Sequence, residues 1–140
     1  EIFMIKVLGT VNFSKAVLPQ MFEHKYGKIV NLASVKGYPN TSSRAAYASS
    51  KAAISTLTAS MAKEFAPHVL VNAVAPGFVE TEMTNGTWSE RIERQVNQIP
   101  IGRMAKPEEI AESILFLASD KSNYITGQTI LIDGGYSIGS

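Results

Sequence analysis

Tyr47 and Lys51 stand four residues apart in a stretch with helical spacing, so their side chains share one face of a helix. A free phenol has a pKa near 10 and is only about one part in a thousand ionised at neutral pH. An ammonium held beside a phenol lowers that value by roughly 1–3 units, and a phenol tuned in this way can pass a proton to or from an alcohol or carbonyl oxygen. The pair alone is a weak signal, because an exposed tyrosine beside a solvated lysine has the same spacing. Ser34 strengthens it. Ser34 closes the apolar run 28–34, at the edge where open α/β sheets place their ligands, and its hydroxyl could hold a substrate oxygen while Tyr47 moves the proton. A serine that merely satisfies strand-end backbone would occupy the same place. Pro76-Gly77 follows a second apolar run, Pro fixing the turn and Gly admitting a ligand close to the backbone, and Thr81 offers a hydroxyl to an amide. An ordinary strand-end turn accounts for any one of these features.

The elements that must position these groups alternate along the chain. Apolar residues at helical spacing (Phe3, Val7, Val11, Ala16, Leu18, Phe22) predict a helix over 1–23, with Gly27 as its stop. The run 28–34 predicts a buried parallel strand and 35–43 a loop. Ser43 can cap a helix running to Phe65, which Pro67 ends. A second strand is expected over 69–74, then a looser stretch over 78–104 with a short helix near 89–97. Pro107 suits the first position of a helix over 108–118, with Glu108 and Glu109 where the helix dipole favours acids. A third strand over 128–133 ends at Gly134-Gly135. This alternation is that of an α/β fold: a parallel sheet with helices on both faces.

Three strands are few for such a sheet, and none of the 10 glycines forms the G-x-G-x-x-G turn that opens a dinucleotide fold. The chain also opens at Glu1 within an amphipathic pattern, without an initiator Met. Residues 1–140 therefore read as the C-terminal catalytic part of a single domain whose N-terminal dinucleotide-binding half is absent from this sequence.

Composition excludes several classes. With 13 basic against 12 acidic residues and no basic stripe, a nucleic-acid partner is disfavoured. The absence of cysteine rules out a disulfide framework, a thiolate zinc site and a Cys nucleophile. No apolar run reaches the roughly 18 to 20 residues of a membrane span, and no signal-peptide pattern is present, so a cytoplasmic protein with no membrane partner is expected. His24 and His68 lie near element ends without an acid or nucleophile to serve, which makes surface residues of them, and no metal site is expected. A serine hydrolase is discounted for want of a G-x-S-x-G elbow.

In combination these motifs resemble the short-chain dehydrogenase/reductase family over essentially the whole chain. The stretch 28–34 is similar to that family's strand with its catalytic serine, and Tyr47-Ala-Ser-Ser-Lys51 to its Tyr-x-x-x-Lys motif, 13 residues beyond the serine. Residues 71–77 resemble the following strand and nicotinamide-side turn; 101–110, 124–128 and 133–135 resemble the C-terminal signature. The resemblance implies a Rossmann-like doubly wound sheet, of which this is the C-terminal part. It implies Tyr47 as general acid/base, Ser34 orienting the substrate carbonyl, and Lys51 lowering the tyrosine pKa while binding the nicotinamide ribose. Tyr47, Lys51, Pro76, Gly77, the Val79 backbone and the Thr81 hydroxyl would form the cofactor site, for NAD or NADP. Asn31 would support the strand end. Lys6 stands where the family usually has an Asn that serves a water-mediated proton relay; it adds a long cation there and lacks the amide.

Residues 78–104 would form the substrate lid, with Met83, Trp88, Ile92, Val96 and Ile99 as a candidate apolar wall; helix packing explains the same spacing. Residues 77–84 and 99–104 look most like the 3-oxoacyl-acyl-carrier-protein reductases. The implied substrate is a small carbonyl or alcohol, including a carrier-linked acyl group. Sugar and polyol dehydrogenases share much of the signature, and a non-catalytic binding or assembly fragment is the reading from a different class. By analogy, helices over 1–23 and 44–66 would join copies into a dimer or tetramer.

Overall fold

The computed structural model describes residues 1–38, 44–81 and 90–138. Three apolar runs form parallel strands β1 (Gly27–Leu32), β2 (Val69–Pro76) and β3 (Thr129–Ile132), in the order β1-β2-β3. The register sets Lys28 opposite Leu70, Leu32 opposite Val74, and Pro76 opposite Ile132. The helices are α1 (Gly9–Glu23), α2 (Ala45–Phe65), α3 (Glu90–Val96) and α4 (Pro107–Ala118). Leu18 of α1 and Met61 and Ala62 of α2 pack on Val69 and Val71, whereas Ile110 and Leu117 of α4 pack on Val74. Successive strand residues face opposite ways, so α1 and α2 cover one face and α4 the other. The central strand is buried on both faces, which is why residues 69–75 are apolar almost throughout. The expected α/β fold, three parallel strands between helices, is what the chain adopts.

Pro76 tests the strand assignment, because a proline inside a central strand removes a ladder bond. Ala73 and Gly77 donate their N–H groups towards β3, to Gln128 and Ile132 carbonyls at 2.8 and 3.0 Å. Pro76 therefore faces the β1 side, and β1 has already ended at Leu32. No bond is lost, and β2 runs two residues beyond the expected 69–74.

Other boundaries also move. The first helix begins with one π-helical turn, Met4–Leu8, closed by the Gly9 N–H on the Met4 carbonyl. Gly27 is not its stop. The helix ends at Glu23, the chain reverses through Lys25 at φ 53, and Gly27 is the first residue of β1. Of α1 only Ser14 and Leu18 are buried; Phe22 is 39% exposed and Phe13 80%. At the start of α2 the N-cap is Arg44, with no side-chain cap bond, and Ser43 lies outside the described residues. Helix α4 starts as expected at Pro107, and the Glu109 carboxylate takes the Lys106 N–H at 2.8 Å and both terminal nitrogens of Arg103 at 2.7 Å. That guanidinium, with the backbone bond second, holds the Glu109 carboxyl at about 2. No described helix is long and apolar enough to cross a membrane.

One polar residue interrupts the apolar run of β2. Asn72 is 1% exposed; its Nδ2 donates to the Ile125 carbonyl at 2.8 Å and its Oδ1 accepts the Gln128 N–H at 3.0 Å. The side chain thus acts as a piece of backbone, satisfying the loop that leads into β3. Asn72→Ala leaves both loop groups without partners and is expected to cost about 1–3 kcal/mol, measured by urea unfolding.

Candidate active site

Ser34 follows the last residues of β1 with extended backbone (φ −165, ψ 149) and is buried at 8% exposure. Its Oγ accepts the Lys36 N–H at 3.2 Å, which turns the chain into the short 3₁₀ helix Val35–Gly37. A hydroxyl has one hydrogen to donate, and here its oxygen is already an acceptor, so the O–H is kept for another oxygen. Tyr47 lies in the first turn of α2, half-buried. Lys51 is one turn further on, 6% exposed, with Nζ 6.0 Å from the centroid of the Tyr47 ring. The two side chains do share a helix face.

The Lys51 ammonium donates to the Leu32 carbonyl at 2.6 Å, so α2 is fastened to the end of β1 two residues before Ser34. Burial, foremost, and then the charge of Lys6 push the Lys51 pKa below its ordinary 10.5. Lys6 lies in the π-helical turn and is exposed; its carbonyl accepts the Thr10 hydroxyl at 2.8 Å. Lys6 and Lys51 both line a cleft of about 550 Å³ between the first helix and the edge of β1 that faces away from β2. Ser34 and Tyr47 are not among the residues lining that cleft.

The turn after β2 is closely packed: a Cβ on Gly77 would fall 2.8 and 2.9 Å from Asp133 Cβ and Cα, so the missing side chain makes room for the chain leaving β3. Val79 makes a parallel bridge with Ala105, through Glu80 N–H to Ala105 O and Ala105 N–H to Phe78 O, both 2.9 Å. Backbone groups alternate along an extended chain, so the peptide groups of Val79 itself turn away from Ala105. Thr81 is exposed just beyond. Asn31 is a supporting group: it is buried, and its Nδ2 donates to Thr58 Oγ1 at 2.9 Å. His24 and His68 are exposed, and no cluster of metal-ligating residues occurs among the described residues. Of the expected lid, Ile99 is buried, while Met83 and Trp88 lie outside the described residues.

Sequence reasoning passed over Asn72 and the trio Lys36, Phe78 and Tyr136. An asparagine inside an apolar run was a signal that could have been read; three residues from three separate loops carried none.

Lys51 supplies a pH dependence with a definite sign. The unfolded chain holds the Lys51 proton up to 10.5, and the folded chain releases it earlier. The unfolded state therefore binds more protons in that window, and stability rises with pH from the folded value to the unfolded one. Against Lys51→Met, the wild-type chain should gain stability as pH rises towards 10.5, measured by urea titrations at stepped pH.

Four similarities bear on this arrangement. A family model described as enoyl-(acyl carrier protein) reductase matches residues 1–137. The 3-oxoacyl-[acyl-carrier-protein] reductase FabG of Thermotoga maritima is 46% identical over 135 residues, covering 96% of this chain and 55% of that protein. The chain thus spans about half the length of the curated relatives it matches. Among solved structures, a gluconate 5-dehydrogenase from Burkholderia cenocepacia in complex with NADP and tartrate superposes with a TM-score of 0.89 at 30% identity, over 96% of this chain and 54% of that one. A 3-oxoacyl-[acyl-carrier protein] reductase from Brucella melitensis gives 0.87 at 37% identity, over 94% and 50%.

Proposed function

The chain belongs to the short-chain dehydrogenase/reductase family, and from that premise we propose that it supplies the proton-transfer half of an oxidoreductase acting between NAD or NADP and a carbonyl or secondary alcohol. The observation that carries this reading is the buried Lys51 ammonium, anchored on the Leu32 carbonyl one helical turn from Tyr47 and two residues before Ser34. Tyr47 is the group that moves a proton to or from the substrate oxygen, and the Ser34 O–H holds that oxygen in place.

The donor set suits a nicotinamide nucleoside. Lys51 has three N–H donors and uses one on Leu32, which leaves two for ribose hydroxyls. The Val79 N–H faces away from its bridge partner, and Thr81 follows with a hydroxyl, both apt for the carboxamide. Pro76 and Gly77 hold that segment at the end of β2. The bound nicotinamide would supply or accept the hydride; the residues of this chain orient the substrate and manage its proton.

Sequence similarity to the Thermotoga and Brucella reductases favours a 3-oxoacyl group on an acyl carrier as substrate. The superposition on gluconate 5-dehydrogenase favours a second reading, a sugar or polyol dehydrogenase. We also propose a cytoplasmic homo-oligomer, since the exposed Phe13, Val17 and Phe22 of α1 leave an apolar helix face to cover. The unpaired edge of β1 is the feature that favours the binding-fragment reading. Tyr47→Phe in the natural full-length protein separates it from the enzyme. Turnover is expected to fall by about 10²–10⁴-fold, with cofactor affinity by fluorescence titration retained. Undiminished turnover removes Tyr47 from the mechanism.

A further inference from the structure

Three loops leave the carboxyl ends of the three strands, and each contributes one side chain to a cluster that the proton-transfer machinery does not use. Lys36 comes from the 3₁₀ turn after β1, Phe78 from the segment after β2 and Tyr136 from the loop after β3. Lys36 Nζ donates to Tyr136 Oη at 3.0 Å. It lies 4.7 Å from the centroid of the Tyr136 ring and 5.0 Å from that of Phe78, and the two rings meet edge to face at 5.2 Å. The turn that carries Lys36 is fixed at both ends. Its N–H is bonded to Ser34 Oγ, and a Cβ on Gly37 would fall 2.7 and 2.8 Å from Ala52 N and Lys51 C, so the turn rests directly on α2.

The cation is half-buried. No carboxylate among the described residues pairs with Lys36, and Asp133, in the neighbouring loop, spends its oxygens on the Gly135 and Ser137 N–H groups at 3.0 and 2.9 Å. The rings attract the ammonium through their negative faces but do not neutralise its charge. Tyr136 Oη accepts one of its N–H groups. A pre-oriented cation without a carboxylate partner among the described residues thus stands two positions along the chain from the hydroxyl that would hold the reacting oxygen.

We propose that Lys36 binds a carboxylate carried by the substrate, which makes the substrate a short hydroxy or oxo acid with a free acid group near the reacting carbon. This rests on the oxidoreductase reading and selects among its substrates, towards acids and away from carrier thioesters. A charge-assisted hydrogen bond to a carboxylate is stronger than a bond to a neutral ester oxygen, so the discrimination resides in the free acid.

The test uses the natural full-length protein with NADH and NADPH and three forms of one short 3-oxo acid: the free acid, its methyl ester and its N-acetylcysteamine thioester. The wild type should favour the acid in kcat/KM. Lys36→Met should lower the acid-to-ester ratio of kcat/KM roughly 10- to 100-fold, chiefly through KM, and Lys36→Arg should keep most of it. Equal losses on acid and ester would make Lys36 a structural fastener and overturn the proposal, as would a wild type that prefers either neutral form; both outcomes leave the oxidoreductase reading intact. A wild type inactive on all three with either cofactor likewise overturns the proposal and leaves the oxidoreductase reading to the Tyr47→Phe test.

Discussion

A buried ammonium needs acceptors for its donors, and the first that Lys51 finds is the Leu32 carbonyl. The bond ties the second turn of α2 to the last residue of β1, and much else follows from it. To reach that carbonyl, α2 must lie close on the sheet. The residues between them are accordingly small: Ala33, Ala73 and Ala75 are almost wholly buried around Ile54, and Gly37 touches the α2 backbone without a side chain. Bulkier residues there would lift α2 and draw the amine away from the strand end. Tyr47 is placed by the same contact, since it lies one turn earlier on the same face. The position of the phenol is therefore a consequence of backbone packing more than of any bond that the phenol itself makes.

Much of this was legible in the sequence because it is written in local patterns. Short apolar runs gave the three strands and helical spacing the long helices, and Pro107 marked the start of α4. The four-residue spacing of Tyr47 and Lys51 gave their common face, since any helix imposes it. What the residues could not reveal is what depends on distant partners. Gly77 reads as a turn open to close approach, and nothing near it in the sequence shows that Asp133, 56 residues on, is packed against it. Gly27 reads as a helix stop, yet Lys25 makes the reversal in a left-handed conformation that sequence rules assign to glycine or asparagine. Lys36 and Tyr136 are 100 residues apart, and only the convergence of three loops on one sheet edge joins them.

The same division separates what similarity to relatives informs from what it leaves open. The chain superposes almost equally well on a reductase of acyl-carrier substrates and on a sugar-acid dehydrogenase, with TM-scores of 0.87 and 0.89. A shared framework of strands and helices explains that equality, because the course of the backbone is fixed by packing and not by the substrate. Substrate choice is assigned to the loops at the strand ends, where the fold places few constraints. Lys36 belongs to those loops, and its side chain carries information on the substrate that overall identity does not.

Lys6 shows how a framework position can still alter the electrostatics of the site. It lies in a π-helical turn and lines the same cleft as Lys51, and two ammoniums on one cleft disfavour each other. The repulsion adds to burial in lowering the Lys51 pKa, while the Leu32 carbonyl favours the charged form, so Lys51 is held between opposing influences. The Lys6 carbonyl lies within the helix and accepts the Thr10 hydroxyl, so it is the exposed side chain that acts on the cleft, and it acts through its charge. The consequence falls on the ionisation of Lys51, and through its anchoring bond on the group that fixes α2 to the sheet.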